Sequence, residues 1–326
     1  MKTTLNGFIV FSLALSEMIA GGPSWCQSYP VKPIRLIVGG PPGGGADVVM
    51  RPIAHKLSET LGQQVIVDNR PGAGSMIAAQ LVAGSPPDGY TVLQASASGF
   101  SISPFLQKKL PYDPIHDFTP ITLIATAPLM VTVHPSLPVR SVKDLIGLAR
   151  TKPGQLLYAS NGKGSFSHLT TEMFARSAGI KIVHVPYKGG TPAVIDTVSG
   201  NVQVVITAFP TLIAQVRASR LRALAVTGEK RAPVLPELPT VAESALPGFV
   251  SVQWYGIFAP KGTPATITNR LHGEIQRAAE SPAVKAPLSQ EGAELTVTGP
   301  QALAEFLRAD VLKWQRVIRE SGIVLE

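Results

Sequence analysis

Ile34-Arg35-Leu36-Ile37-Val38-Gly39-Gly40-Pro41-Pro42-Gly43-Gly44-Gly45-Ala46-Asp47 runs a short β-branched strand into a glycine-rich loop, and Val48, Val49, Ile53, Leu57 and Leu61 then recur at three- and four-residue spacing. Strand, tight loop and amphipathic helix therefore follow one another. Asp47 is the predicted cap, Gly62 the stop, and Pro52, which lacks a backbone donor, predicts a tightened or bent first half of the helix.

The same unit recurs along the chain. Gln64 to Asp68 reads as a strand, Arg70-Pro71-Gly72-Ala73-Gly74 as a loop, and Ser75 as the cap of a helix reaching Val82. Tyr90 to Gln94, Leu156 to Ala159, Ile182 to Val185, Val202 to Ile206 and Leu221 to Val226 read as further strands. Ser141 with Asp144 opens a helix to Arg150. Ser160-Asn161-Gly162-Lys163-Gly164-Ser165 leads into a helix with Leu169, Met173 and Phe174 on one face. After Lys188-Gly189-Gly190, Thr191 is the predicted cap and Pro192 the first helical residue. Pro264 and Pro300 open the last helices.

Strands alternating with helices predict an α/β fold of mainly parallel sheets joined by right-handed crossovers. Phe118 to His134 and Phe249 to Pro260 break the alternation as long extended stretches. They suit two crossings between lobes, with residues 27–126 and 247–326 in the first lobe and 127–246 in the second.

The 326 residues fit about two domains. Hydrophobic residues make up 45% and charged residues 15%, enough apolar content for packed interiors, so the chain is not a disordered one. The net charge is +8, yet no basic run is denser than the pair Lys230–Arg231, which argues against a nucleic-acid partner. At the N-terminus, Lys2 precedes an apolar stretch from Phe8 to Leu15, and Ser24-Trp25-Cys26 places small residues at −3 and −1 of a cut. This is the pattern of a secretory signal peptide over residues 1–26. The single cysteine, Cys26, forms no internal disulfide and lacks the neighbours of a lipid-anchor site.

Pro42 to Asp47, Ser160 to Ser165 and Lys188 to Thr191 each lead into a helix N-terminus, where unpaired N–H groups and partial positive charge suit a carboxylate or phosphate. Gly162-Lys163-Gly164-Ser165 lacks the spacing of a nucleotide-binding P-loop. No Gly-x-Ser-x-Gly elbow surrounds Ser165 or Ser167, so His168 reads as a helix-end donor rather than a general base. The remaining histidines show no metal spacing, and neither a cofactor nor a catalytic residue is assigned. Trp254 and Tyr255 fall on the second crossing, either in the core or lining the cleft.

Tyr29-Pro30-Val31-Lys32-Pro33-Ile34, Pro41-Pro42-Gly43-Gly44-Gly45-Ala46-Asp47, Asn69-Arg70-Pro71-Gly72-Ala73-Gly74, Pro87-Asp88-Gly89-Tyr90-Thr91, Tyr112-Asp113-Pro114, Ser165-x-x-His168-Leu169 and Pro186-Tyr187-Lys188-Gly189-Gly190 stand in order. Together they resemble the Bug family, periplasmic substrate-binding receptors of tripartite tricarboxylate transporters. The resemblance implies a two-lobed, Venus-flytrap fold of the type II-like kind with a two-strand hinge. It implies a receptor that binds a small carboxylate in the periplasm and delivers it, by transient contact, to membrane transporter subunits; a carboxylate sensor feeding a signalling partner is the alternative. Since no self-complementary apolar stripe stands out, a monomer is expected. Carried over by position, Gly44, Gly45 and Asp47 serve the first lobe, with Asp47 shaping the loop, and Ser96 and Ser98 add polar contacts. Ser160, Gly164, Ser165, His168, Gly189, Gly190 and Thr191 serve the second. Ala46 stands where Thr is common, and Thr207 where an Asp often stands that can hold an ammonium group. The expected ligand is therefore a carboxylate without a cationic group.

Overall fold

The computed structural model describes residues 29–290 and 292–321. The signal peptide and the cut expected near Cys26 lie outside them. In chain order the elements are β1 (Ile34–Val38), α1 (Gly45–Leu61), β2 (Val65–Asn69), α2 (Met76–Ala83), β3 (Thr91–Ser96), α3 (Ser103–Leu106), β4 (Phe118–Val133), α4 (Val142–Thr151), β5 (Leu157–Ser160), α5 (Phe166–Ala178), β6 (Val183–Pro186), α6 (Gly190–Val198), β7 (Val204–Ala208), α7 (Phe209–Arg217), β8 (Arg222–Val226), α8 (Val241–Ser244), β9 (Val252–Pro260), α9 (Ala265–Glu280), α10 (Pro282–Gln290), β10 (Glu294–Thr298) and α11 (Pro300–Ser321).

The strand order is β2-β1-β3-β9-β4-β7-β5-β6, with β8 and β10 also pairing with β4. Two lobes emerge from how β4 changes partners. From Phe118 to Pro128 it lies antiparallel to β9, and from Leu129 to Val133 antiparallel to β7. β10 flanks its first part and β8 its second. Pro128, which has no N–H to give a ladder, stands where the partner changes. The outer strands pair in parallel, β1 with β2 and β3, and β5 with β6 and β7. Parallel strands covered on both faces read as continuous apolar runs, which explains why Ile34, Leu36, Ile37 and Val38 are all buried.

The second crossing lies beside the first. Thr227 is fully buried. Its N–H donates to the Leu129 carbonyl (2.9 Å) and its carbonyl accepts from Ser251 N–H (2.8 Å). Its hydroxyl donates to the Ser251 carbonyl (2.5 Å) and accepts from Leu129 N–H (2.8 Å). One side chain thus ties both segments that pass between the lobes.

Three local expectations change. The N-cap of α1 is Gly44, not Asp47, which lies in the first turn. Ser75 does hold the N-cap position of α2, but its hydroxyl makes no capping bond and donates instead to the Gly39 carbonyl (3.2 Å). The helix α6 begins at Gly190 with Gly189 as N-cap, so Thr191 is inside the helix. In α1, Val49, Met50, Ile53, Ala54, Leu57 and Leu61 are buried and Gly62 (φ 65°) ends it; the helix continues through Pro52.

Candidate functional site

The loops at the carboxyl ends of β1, β3, β5 and β7 meet at a cavity of about 240 Å³ between the lobes. Its first wall includes Gly45, Ala46, Ser96, Ser98, Gln253 and Tyr255, and its second includes Asn161, Phe166, Ser167, Thr207 and Ala208. None of the lining residues carries a formal charge.

On the first wall the chain turns sharply after β1. Gly44 N–H donates to the Pro41 carbonyl (3.1 Å), and the first in-helix bond runs from Val48 N–H to the Gly44 carbonyl (2.9 Å). The N–H groups of Gly45, Ala46 and Asp47 consequently have no partner among the described residues. Asp47 faces the other way. Its carboxylate accepts from Gly43 N–H (2.8 Å), Arg51 Nε (2.7 Å) and Asn69 Nδ2 (3.0 Å). Asn69 Nδ2 also donates to the Gly40 carbonyl (3.0 Å), so loop, helix and β2 are pinned together. Burial alone would raise the Asp47 carboxyl, but the hydrogen bonds from Arg51, Gly43 and Asn69 outweigh it and hold the group below the usual carboxylate range.

On the second wall the Ser160–Ser165 loop is braced from beneath. Ser165 caps α5, its hydroxyl accepting from His168 N–H (3.2 Å). His168 Nδ1 accepts from Gly164 N–H (3.0 Å). The His168 ring lies flat on that of His184, with centroids 3.9 Å apart and planes 12° from parallel. His184 Nε2 meets the Ser160 hydroxyl (2.6 Å), which also accepts from Gly162 N–H (3.1 Å). Burial, followed by the charges of His184 and Lys163, lowers the pKa of His168 to about 4; burial and Lys163 do the same for His184. Two neutral imidazoles therefore support the loop at neutral pH, while the N–H groups of Phe166 and Ser167 are left without partners among the described residues.

Residues 49–323 match the family model of TctC, the tripartite tricarboxylate transporter family receptor. The chain belongs to the TctC family. It is 41% identical over 295 residues to a UPF0065 protein in the tcbD-tcbE intergenic region of Pseudomonas sp. (strain P51), covering 90% of this chain and 88% of that one. It is 36% identical to Protein BugT of Bordetella pertussis, covering 97% and 98%. Among solved structures it is similar to R. palustris Rpa4515 with adipate, at 37% identity and a TM-score of 0.82, covering 91% of this chain and all (100%) of that one. MatC of Rhodopseudomonas palustris with bound malate aligns at 29% identity and a TM-score of 0.77, covering 89% and 100%.

Set in this TctC chain, Gly45, Ser96 and Ser98 line the cavity directly. Gly44, Asp47, Ser160, Gly164, Ser165 and His168 stand one layer behind, building the two loops. Gly190 packs against the Asn161 amide, where an added Cβ would lie 3.4 Å from Asn161 Oδ1. Gly189 adjoins it, Thr191 is exposed, and neither lines the cavity. From the sequence, Gln94, Phe166 and Gln253 had no role, Ser75 only that of a helix cap and Asn161 only a place in the Ser160–Ser165 loop, and Tyr255 was undecided. Strand alternation was the available signal for Tyr255. Trp254 is fully buried with Nε1 donating to Asp310 (2.7 Å), so its neighbour on β9 must face the other side.

Proposed function

We propose that this chain is an exported periplasmic receptor that captures a small organic carboxylate between its lobes and delivers it to the membrane subunits of a tripartite transporter. The reading is carried by the unpartnered N–H groups that open α1 and α5 on facing walls of one cavity. Such groups bind anionic oxygens without needing a cationic side chain. Family membership and the adipate and malate held by similar proteins point to the same ligand class. Binding draws residues 27–126 and 247–326 onto 127–246 about the crossings beside Thr227, with the ligand stabilising the closed form. The receptor acts as a single copy.

The ligand has no ammonium group. Thr207 donates its hydroxyl to Asn161 Oδ1 (3.1 Å), and among the described residues no carboxylate lines the cavity to balance a positive charge. Each hydrogen bond to a charged group contributes about 1.5–3 kcal/mol, so a few of them, net of ordering costs, give micromolar affinity, about −8 kcal/mol. A thermal-shift screen of the signal-less protein against mono-, di- and tricarboxylates, aromatic acids and amino acids tests this. A saturable rise in melting temperature with a plain carboxylate is expected. Tighter binding of glutamate or aspartate than of every plain carboxylate contradicts the reading.

A further inference from the structure

Most polar side chains of the cleft are already spent within the protein. Ser167 donates to the Ile206 carbonyl (2.5 Å), Ser75 to the Gly39 carbonyl (3.2 Å), Gln94 Nε2 to the Ala95 carbonyl (2.7 Å), and Thr207 to Asn161 (3.1 Å). The hydroxyls of Ser96 and Ser98 and Gln253 Oε1 have no partner among the described residues, and neither has the Tyr255 hydroxyl. Tyr255 is only 6% exposed and lines the cavity.

The surroundings of that phenol make a site. Ser96 is the direct cross-strand partner of Tyr255, so the two side chains share one face of the sheet. Ser96 is 7% exposed, lines the same cavity, and its hydroxyl is likewise unpartnered. A Cβ on Gly45 would fall 2.8 Å from the Tyr255 hydroxyl, which puts the phenol over the first residue of α1 and leaves room for a side chain there only if the phenol moves. The free N–H groups of Gly45 and Ala46 open beside it. Two hydroxyls and two amides thus converge with no cation among them. A carboxylate presents about four acceptor positions and suits such a set. Beyond it Phe166, Leu129, Ala127 and Ala208 give the cavity an apolar stretch, beside the polar Asn161, Thr207 and Gln253.

We infer that Tyr255 is a specificity-determining ligand contact, whose phenol joins Ser96 and the opening amides of α1 in donating to one carboxylate of an acid with an uncharged hydrocarbon body. This rests on the carboxylate reading above and adds which side chain selects the ligand. Burial pushes the phenol up to about 12, so it keeps its proton at any pH the protein meets.

The test follows the backbone amides of Gly45, Ala46, Phe166 and Ser167 by NMR while acetate, adipate or adipamide is added to the wild-type and Tyr255→Phe proteins. All four amides are expected to move with the carboxylates. In Tyr255→Phe the dissociation constants for acetate and adipate rise roughly ten- to a hundred-fold, while adipamide binding and the melting temperature of the free protein stay unchanged. Equal dissociation constants in the two proteins, equal weakening of adipate and adipamide, or movement confined to Phe166 and Ser167 each overturn the assignment of Tyr255 and leave the carboxylate reading standing. No movement at any of the four amides overturns both.

Discussion

Replacing Thr227 by Val tests the hinge at its tightest point. The two side chains have nearly the same shape, so the change removes a hydroxyl and little else. Two buried backbone groups lose their partners, the Leu129 N–H and the Ser251 carbonyl. Thr227 and Ser251 are each 0% exposed and Leu129 4%, so water does not replace the lost bonds. Each of the two orphaned groups costs about 1–3 kcal/mol, giving a loss of about 2–6 kcal/mol. At roughly 2 °C per kcal/mol for a chain longer than about 250 residues, a central loss of about 4 kcal/mol lowers the melting temperature by roughly 8 °C. Thr227→Ser keeps the hydroxyl and removes one methyl, a loss of only about 1 kcal/mol. Differential scanning calorimetry of the three proteins separates these effects. A Thr227→Val protein that melts with the wild type, or a Ser variant as unstable as the Val variant, refutes the assignment of the hydroxyl as the tie between the crossings.

Asp47→Asn is expected to lose about 1.5–3 kcal/mol at pH 7, because an amide cannot accept from Gly43, Arg51 and Asn69 together. The Asp47 pKa is depressed in the folded state, so its contribution is present above the unfolded carboxylate value and lost as pH falls through the folded one; the melting gap between wild type and variant therefore closes on going from pH 7 to pH 3, and a constant gap counts against the argument. His168 and His184 titrate at about 4 when folded and near 6.5 when unfolded, so the unfolded chain binds more protons between those values and stability falls as pH drops from 6.5 toward 4. His184→Phe, which keeps a flat ring, should flatten that fall in melting temperature; an unchanged slope would mean that the stacked pair is not its source.

The architecture was legible because its period is local. The run from Ile34 to Asp47 shows strand, loop and helix at a glance, and the long helix-free stretches ending at His134 and Pro260 mark the crossings. Cap positions were less legible. Gly44 and Gly189 cap through backbone geometry and carry no side-chain signature, so Asp47 and Thr191, two residues with capping chemistry, drew the assignment a few positions too late. The pairing of β10 with β4 joins Leu295 to Ala125, a contact that no local pattern announces. In the site, the residue types at Ser165 and His168 were readable, but the direction of the His168 ring, toward Gly164 and His184, depends on a rotamer and on a strand that follows later. Tyr255 was missed in part because alternation assigns a face only once Trp254 has been placed in the core.

The central claim is that a carboxylate sits between the lobes, against the starts of α1 and α5. Ala46 lines that cavity on the first turn of α1, so Ala46→Trp fills it without removing any hydrogen bond. The decisive measurement is calorimetric titration of the wild-type and Ala46→Trp proteins with the carboxylate that raises the melting temperature most. One site per chain in the wild type, and none in the variant at the same folded stability, is the predicted result. Equal binding by both proteins would put the carboxylate elsewhere and contradict the account.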